Sequence, residues 1–259
     1  MILGILQARA SSRRLPGKVL KPILGRPMLE RQIERLRRAR RMDALVVATS
    51  SDASDDPIAA LCESLAVDCF RGSLDDVLDR FCQAARPHAP RAVVRLTGDC
   101  PLADPEVIDS LIEAQARSGC DYTTNTLPPR RIPDGLDAEV IAMSCLTAAW
   151  RDAALPSERE HVTPFIYNHP ERFRLERQDQ PSDLSHLRWV VDEPEDFAFI
   201  AAVYEALYPT NPAFTTADVL TLLEARPDIA AKMGHAPTNE GYQRSLAADA
   251  AFLARKGTS

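Results

Sequence analysis

The chain has 259 residues, 45% hydrophobic and 26% charged, which is ordinary for a soluble globular protein and long enough to bury a core without disulfides or metals. No apolar run approaches the roughly 20 residues of a membrane span, and the six cysteines, Cys62, Cys69, Cys82, Cys100, Cys120 and Cys145, form no C-x-x-C pair, so they read as reduced thiols rather than a zinc site or disulfide framework. The net charge of -6 hides +10 over residues 1–41 and -16 beyond them, and the basic half suits a compact polyanion better than an extended nucleic acid.

Residues 2–7 form an apolar run that predicts a central parallel strand. The basic segment before it that a signal peptide needs is missing, so a cytoplasmic location is expected. A basic loop follows to about residue 26. Pro27 suits the first turn of a helix whose stripe is Leu29, Ile33 and Leu36. Half of the early basic residues lie on this helix from Arg31 to Arg41, where a solvated face is expected. Ala44–Thr49 predicts the second strand, then come a helix over Pro57–Leu65 and a short strand over Val67–Phe70. A helix over Asp75–Ala85 turns Val77, Leu78 and Phe81 inward. Ala92–Leu96 is another strand, and Pro105–Ala116 a helix with Val107, Ile108, Leu111 and Ile112 on one side. This alternation predicts an α/β fold with a mostly parallel sheet and helices on both faces. Ligands of such sheets lie in the crevice outside the carboxyl ends of the strands.

After Gly119 the pattern changes. Residues 120–190 carry extended segments (Asp121–Thr126, Asp137–Met143, Phe173–Gln178, Leu187–Val191) among Pro-rich turns, which reads as a β-rich insertion, lid or dimer arm, and a homodimer is expected from it. Residues 195–207 return to helix, and short helices follow Pro212. The expectation is one domain over residues 1–245, with a polar, frayed tail over 246–259.

Three stretches at strand ends carry chemistry. Gln7-Ala8-Arg9-Ala10-Ser11-Ser12-Arg13-Arg14-Leu15-Pro16-Gly17-Lys18 follows the first strand. Its small residues let backbone N–H groups approach phosphate, its arginines offer bidentate contacts, and Lys18 offers a movable charge. It is not a G-x-x-x-x-G-K-[ST] loop, which argues against a P-loop enzyme. An ordinary solvated loop is the alternative. Thr97-Gly98-Asp99-Cys100-Pro101-Leu102 places a carboxylate at the sheet edge, where it suits Mg²⁺ over a nucleotide or marks a plain turn. Trp189-Val190-Val191-Asp192-Glu193-Pro194-Glu195-Asp196 ends another apolar run in a carboxylate. Asp192 is either a second metal ligand or the cap of the following helix.

The order A-R-x-x-S-x-R-L-P-G-K, G-D-C-P-L, V-D-x-P-E-D-F resembles the cytidylyltransferase family that includes CMP-KDO and CMP-acylneuraminate synthetases, and is most similar to the branch of the spore coat polysaccharide biosynthesis protein F. The resemblance covers residues 2–245 and extends to Val47-Ala48-Thr49, Phe70-Arg71-Gly72-Ser73 with Asp79-Arg80, Pro133 to Val140, Glu158 to Pro164, and Asn239-Glu240-Gly241-Tyr242. It implies a nucleotide-diphospho-sugar transferase fold and transfer of CMP from CTP to an acidic sugar or related acceptor. Arg9, Arg14 and Lys18 would meet the triphosphate, with Gln7, Ala8, Ser12 and Gly98 beside it. Asp99 and Asp192 would hold magnesium, and Thr49, Arg71, Ser73 and Arg80 would lie near cytosine or ribose. A glycine common in the family's first loop is Ser11 here.

Asp134-Gly135-Leu136-Asp137-Ala138-Glu139 is expected to face the acceptor with Asn125, its carboxylates Asp137 and Glu139 alternating onto one side of a strand, or else to be a charged solvent face. Arg159, Glu160 and His161 form a second such cluster. His161 is a candidate general base or an ordinary hydrogen-bonded histidine. A glycosyltransferase, a GTP- or UTP-dependent nucleotidyltransferase, or a non-catalytic module are rival functions on the same architecture.

Overall fold

The computed structural model describes residues 1–236 and 240–256. The chain opens with β1 (Ile2–Gln7), and a small hairpin, β2 (Pro22–Ile23) and β3 (Arg26–Pro27), leads into α1 (Met28–Leu36). Then follow β4 (Ala44–Ser50), α2 (Asp56–Ser64), β5 (Asp68–Gly72), α3 (Val77–Ala85), β6 (Ala92–Thr97) and α4 (Pro105–Ser118). β7 (Tyr122–Thr124), β8 (Glu139–Ala142), α5 (Met143–Asp152), α6 (Pro156–His161), α7 (Pro164–Tyr167) and β9 (Leu175–Arg177) come next. Four helices end the chain: α8 (Pro194–Leu207), α9 (Thr216–Ala225), α10 (Pro227–Ala230) and α11 (Glu240–Lys256).

Seven strands form one sheet in the order β5-β4-β1-β6-β8-β7-β9. β5, β4, β1 and β6 are parallel; β8 runs against both β6 and β7, and β9 is parallel to β7. Gln7 is opposite both Ala48 and Thr97, and Thr49 is opposite Arg71. The residues that follow β1, β4, β5 and β6 therefore share one rim. Alternate side chains of the central strands enter two cores. Leu6, Val47, Val94 and Val140 pack with Ile33, Ile108 and Phe199 on one face; Leu3, Ile5, Val46 and Val93 pack with Phe81, Leu146 and Ile166 on the other.

Three of the extended segments expected within residues 120–190, Asp121–Thr126, Asp137–Met143 and Phe173–Gln178, contain β7, β8 and β9, which join the one sheet. Strands this short bury Tyr122, Val140 and Ile141 only by pairing with one another and with β6. Leu187–Val191 is not a strand; it touches the rest through an isolated bridge, Asp134 to Arg188, and a Val191 N–H bond to the Asp99 carbonyl of 2.8 Å. Residues 246–256 of the expected tail are helical, within α11, and residues 257–259 lie outside the described residues, as does Asn239.

Of the basic residues expected on a solvated face from Arg31 to Arg41, Arg37, Arg40 and Arg41 are exposed, but two are not. Arg31 and Arg35 are buried. Arg35 donates to the carbonyls of Leu102, Ala103 and Phe214, and its guanidinium lies 4.3 Å from the Phe214 ring centre. Arg31 donates to Ile23 and Leu24 and stacks on Tyr208 at 4.2 Å. Guanidinium groups bury where carbonyls take their donors and a ring takes their face.

Candidate active site

The loop after β1 is fixed from beneath. Ala8 N–H bonds the Ala48 carbonyl at 3.1 Å, and Ala10 N–H bonds Asp55 Oδ1 at 2.7 Å. Asp55 is fully buried and also accepts from the Ser50 N–H and hydroxyl, at 3.0 and 2.5 Å. Burial opposes its ionisation, but these donors hold its carboxyl below the usual range. Asp55 was not singled out from the sequence, where it falls between the second strand and the helix that follows it. Gly98 lies so close to β1 that a Cβ there would sit 3.0 Å from both Ala8 Cβ and the Gln7 carbonyl. Gly17, at φ 68°, makes the left-handed turn that delivers Lys18. Arg9 is exposed on the rim, and Ser12 Oγ accepts from Leu15 N–H at 3.4 Å.

Lys18 brings together the carboxylates of Asp99, beyond β6, and Asp192, ahead of α8. Its Nζ lies 3.2 Å from Asp99 Oδ2, 3.0 Å from Asp192 Oδ1 and 2.6 Å from the Val191 carbonyl. Burial alone would lower the pKa of this ammonium; the two carboxylates outweigh it and hold the group above its usual value. Burial likewise pushes Asp99 up, and Lys18 wins, leaving Asp99 below the usual carboxylate range. Asp192 Oδ2 meets Arg14 at 2.8 Å and Arg188 at 3.1 Å, and Arg14 also reaches Glu193 at 3.3 Å.

Asp192 does not cap α8. The N–H groups of Asp192 and Glu193, both at 2.9 Å, donate to the Asp196 carboxylate instead. This reach-back from the first turn satisfies the helix end and leaves the Asp192 carboxylate to its cations.

The residues expected near base and ribose surround the neighbouring rim. Thr49 is buried at the end of β4. Arg71 donates to the Ser50 and Asp52 carbonyls at 3.0 and 2.8 Å and pairs with Asp56, so it fastens the β4–α2 connection. Ser73 Oγ accepts from Asp76 N–H, and its carbonyl accepts from Arg80 at 2.7 Å. Arg80 is 2% exposed, its Nε has no hydrogen-bond partner among the described residues, and burial, with Arg9 adding to it, pushes its pKa down to about 10.

Most of the expected acceptor residues are tied to one another or to neighbouring elements. Asn125 bridges the Leu136 carbonyl and the Ala138 N–H. Asp134 pairs with Arg188 and Arg130, and Asp137 with Arg130. Asp137 and Glu139 face different cations: Glu139 is buried, pairs with Arg95 and accepts from the Tyr122 hydroxyl at 2.9 Å. Arg159 donates to Asp76 and the Trp150 carbonyl. Ser245 of α11 bonds both Glu160 (2.7 Å) and His161 Nε2 (2.9 Å). Burial lowers the His161 pKa to about 4, against the pull of Glu160, so the ring is neutral at pH 7 but already bonded. Sequence reasoning missed Arg95, Arg130 and Arg188; each lies near a carboxylate in sequence or register, but no spacing rule names it.

Gly135 carries a strong requirement. At φ 114° its Cβ would sit 2.5 Å from the Trp189 carbonyl carbon and 2.6 Å from Val190 N. Gly135→Ala is expected to cost about 3 kcal/mol or more, since backbone must move and an L-residue is strained there. Urea unfolding checks this; a variant within about 1 kcal/mol of wild type would contradict the close approach.

The chain is similar to known proteins along most of its length. A family profile described as Cytidylyltransferase matches residues 3–211. Spore coat polysaccharide biosynthesis protein SpsF of Bacillus subtilis (strain 168) is 36% identical over 236 residues, 88% of this chain and 96% of that protein. The 3-deoxy-manno-octulosonate cytidylyltransferase of Anaeromyxobacter sp. (strain Fw109-5) is 38% identical over 127 residues, 48% of this chain and 50% of that one. A solved cytidylyltransferase from Leptospira borgpetersenii superposes with a TM-score of 0.85 at 28% identity, covering 91% of this chain and 99% of that one.

Proposed function

We propose a reaction for this chain, which belongs to the cytidylyltransferase family: transfer of CMP from CTP to an acidic sugar or related acceptor, with release of pyrophosphate, in cell-surface polysaccharide synthesis. The observation that carries it is the meeting of Lys18, Asp99 and Asp192 at the sheet rim, beside Arg14 and the backbone loop of residues 8–17. The match across nearly all of the spore coat protein supports the polysaccharide context. Among the described residues no helix is long and apolar enough to cross a membrane, and we place the reaction in the cytoplasm.

An acceptor hydroxyl oxygen attacks the α-phosphorus of CTP. The bond from that phosphorus to the oxygen bridging to the β-phosphate breaks, pyrophosphate leaves, and the hydroxyl proton passes to solvent. The chain's contribution is positioning and charge neutralisation. Lys18, held charged by its carboxylates, and Arg14 stand where charge grows on the leaving group. Two carboxylates, Asp99 beyond β6 and Asp192 ahead of α8, each present an oxygen to one point, occupied by Lys18 Nζ. With phosphate oxygens and water, that is the donor set magnesium favours. Asp99 and Asp192 would hold the ion, which when bound supplies Lewis-acid charge to the phosphates.

CTP is expected to raise the melting temperature more than ATP, GTP or UTP when each is added with magnesium, because a ligand stabilises the state it binds. Equal shifts from all four, or a preference for GTP, would count against this nucleotide. Pyrophosphate release with CTP and a panel of acidic and amino sugars then identifies the acceptor. Release with no sugar in the panel but with UTP and a neutral sugar would redirect the proposal.

A further inference from the structure

Arg188, which no motif picks out, reaches three carboxylates at the site. Its side chain is 6% exposed. Nε and Nη2 donate to the two oxygens of Asp196, each at 3.0 Å. Nη1 donates to Asp134 Oδ2 at 3.2 Å, and Nη2 also reaches Asp192 Oδ2 at 3.1 Å. One planar fork thus spans an anchor and two rim carboxylates, which a lysine's point charge cannot do.

The anchor is itself immobilised. Asp196 is 1% exposed and holds the N-terminus of α8 through the Asp192 and Glu193 N–H groups. From the other side the chain after α10 closes over the pair. A Cβ on Gly234 would collide with Asp196 Oδ1, and Met233 Sδ accepts from the Arg188 N–H at 3.2 Å. Asp192 is therefore fixed twice, its backbone by Asp196 and its Oδ2 by Arg188. Its Oδ1 is left aimed at the point shared with Asp99.

We propose that Arg188 is a positioning residue: it sets the Asp192 carboxylate for its cation and ties it to Asp134 of the 130–137 loop. This rests on the nucleotide and magnesium reading given above. Arg188 reaches the reacting groups only through Asp192, so its loss acts on cation affinity.

The test uses Arg188→Lys, which keeps the charge and loses the fork, and Gly234→Ala, which displaces Asp196 without altering any rim residue. CTP binding is measured by calorimetry across a magnesium series, with no acceptor present, beside a thermal melt of each protein. Outer partners of metal ligands typically change metal affinity by about 10–100-fold. The magnesium midpoint for CTP binding is expected to rise at least about tenfold in both variants. CTP affinity should approach that of wild type at high magnesium, and melts should stay cooperative. A wild-type midpoint in either variant, with a cooperative melt, overturns the positioning role and leaves Arg188 a fold-stabilising ion pair. If Arg188→Lys melts without a cooperative transition, Gly234→Ala decides alone. Wild-type binding of CTP indifferent to magnesium would instead overturn the magnesium reading, and this proposal with it.

Discussion

Asp192→Asn is expected to lower kcat at least about a hundredfold, the usual cost of one preorganised electrostatic contact, while leaving the protein folded. The fold tolerates the change because each cation on Asp192 has a second partner. Lys18 keeps Asp99, Arg14 keeps Glu193, and Arg188 keeps Asp196 and Asp134. No buried charge is orphaned, so the stability loss should be about 1–2 kcal/mol, that of one charged hydrogen-bonding group. The helix end is also unaffected, since Asp196 provides its cap. Asp99→Asn should show a similar rate loss, and the double variant little more than either alone, because both would disable one centre. Steady-state pyrophosphate release and thermal melts measure the two quantities. Near-normal turnover by Asp192→Asn at saturating magnesium would make Asp192 structural and remove the two-carboxylate scheme.

Lys18→Met should cost about 10²–10³ in kcat and also change how stability depends on pH. In the wild type Asp99 has a depressed folded pKa, so its contribution is present above the unfolded value of about 3.9 and is lost as pH falls through the folded one. Lys18 has a raised folded pKa, so its contribution is present below about 10.4 and is lost as pH climbs through that higher value. The wild-type contribution of Lys18 and Asp99 is therefore level from about pH 5 to pH 9. Without the ammonium, burial is the leading influence on Asp99 and lifts its pKa above the unfolded value. The variant should then gain in melting temperature, relative to wild type, as pH is lowered from about 7 to about 5. A variant whose profile parallels wild type would show that Lys18 does not set the charge state of Asp99.

The sequence made the nucleotide half of the sheet legible and the rest only partly so. β1 and β4 are apolar on both faces and sit between amphipathic helices, a pattern that has few other solutions. β7, β8 and β9 have three or four residues each, and their burial depends on partners far along the chain, such as Leu175 opposite Tyr122. The sequence marked each of them as an extended segment, but it could not place them in the sheet, because those partners are set by the fold and not by local pattern. Asp99 and Asp192 could be paired in advance because each ends an apolar run. The choice between ligand and cap could not be made, since it depends on where Asp196 folds back. Arg31 and Arg35 look solvated at helical spacing, and only the distant arrival of Tyr208 and Phe214 covers them.

β8 is the strand that runs against its neighbours. For β1 and β6 the rim is reached by residues that come after the strand; for β8 it is reached by the lead-in, residues 130–138. That lead-in is locked where it lies, by the close approach of Gly135 to Trp189 and by the pairing of Asp134 with Arg188. Because Arg188 also holds Asp192, an insertion or deletion there would be felt across the cleft and not on one wall alone. A lineage built on this topology is therefore left to retool this wall by exchanging side chains on a backbone of fixed length.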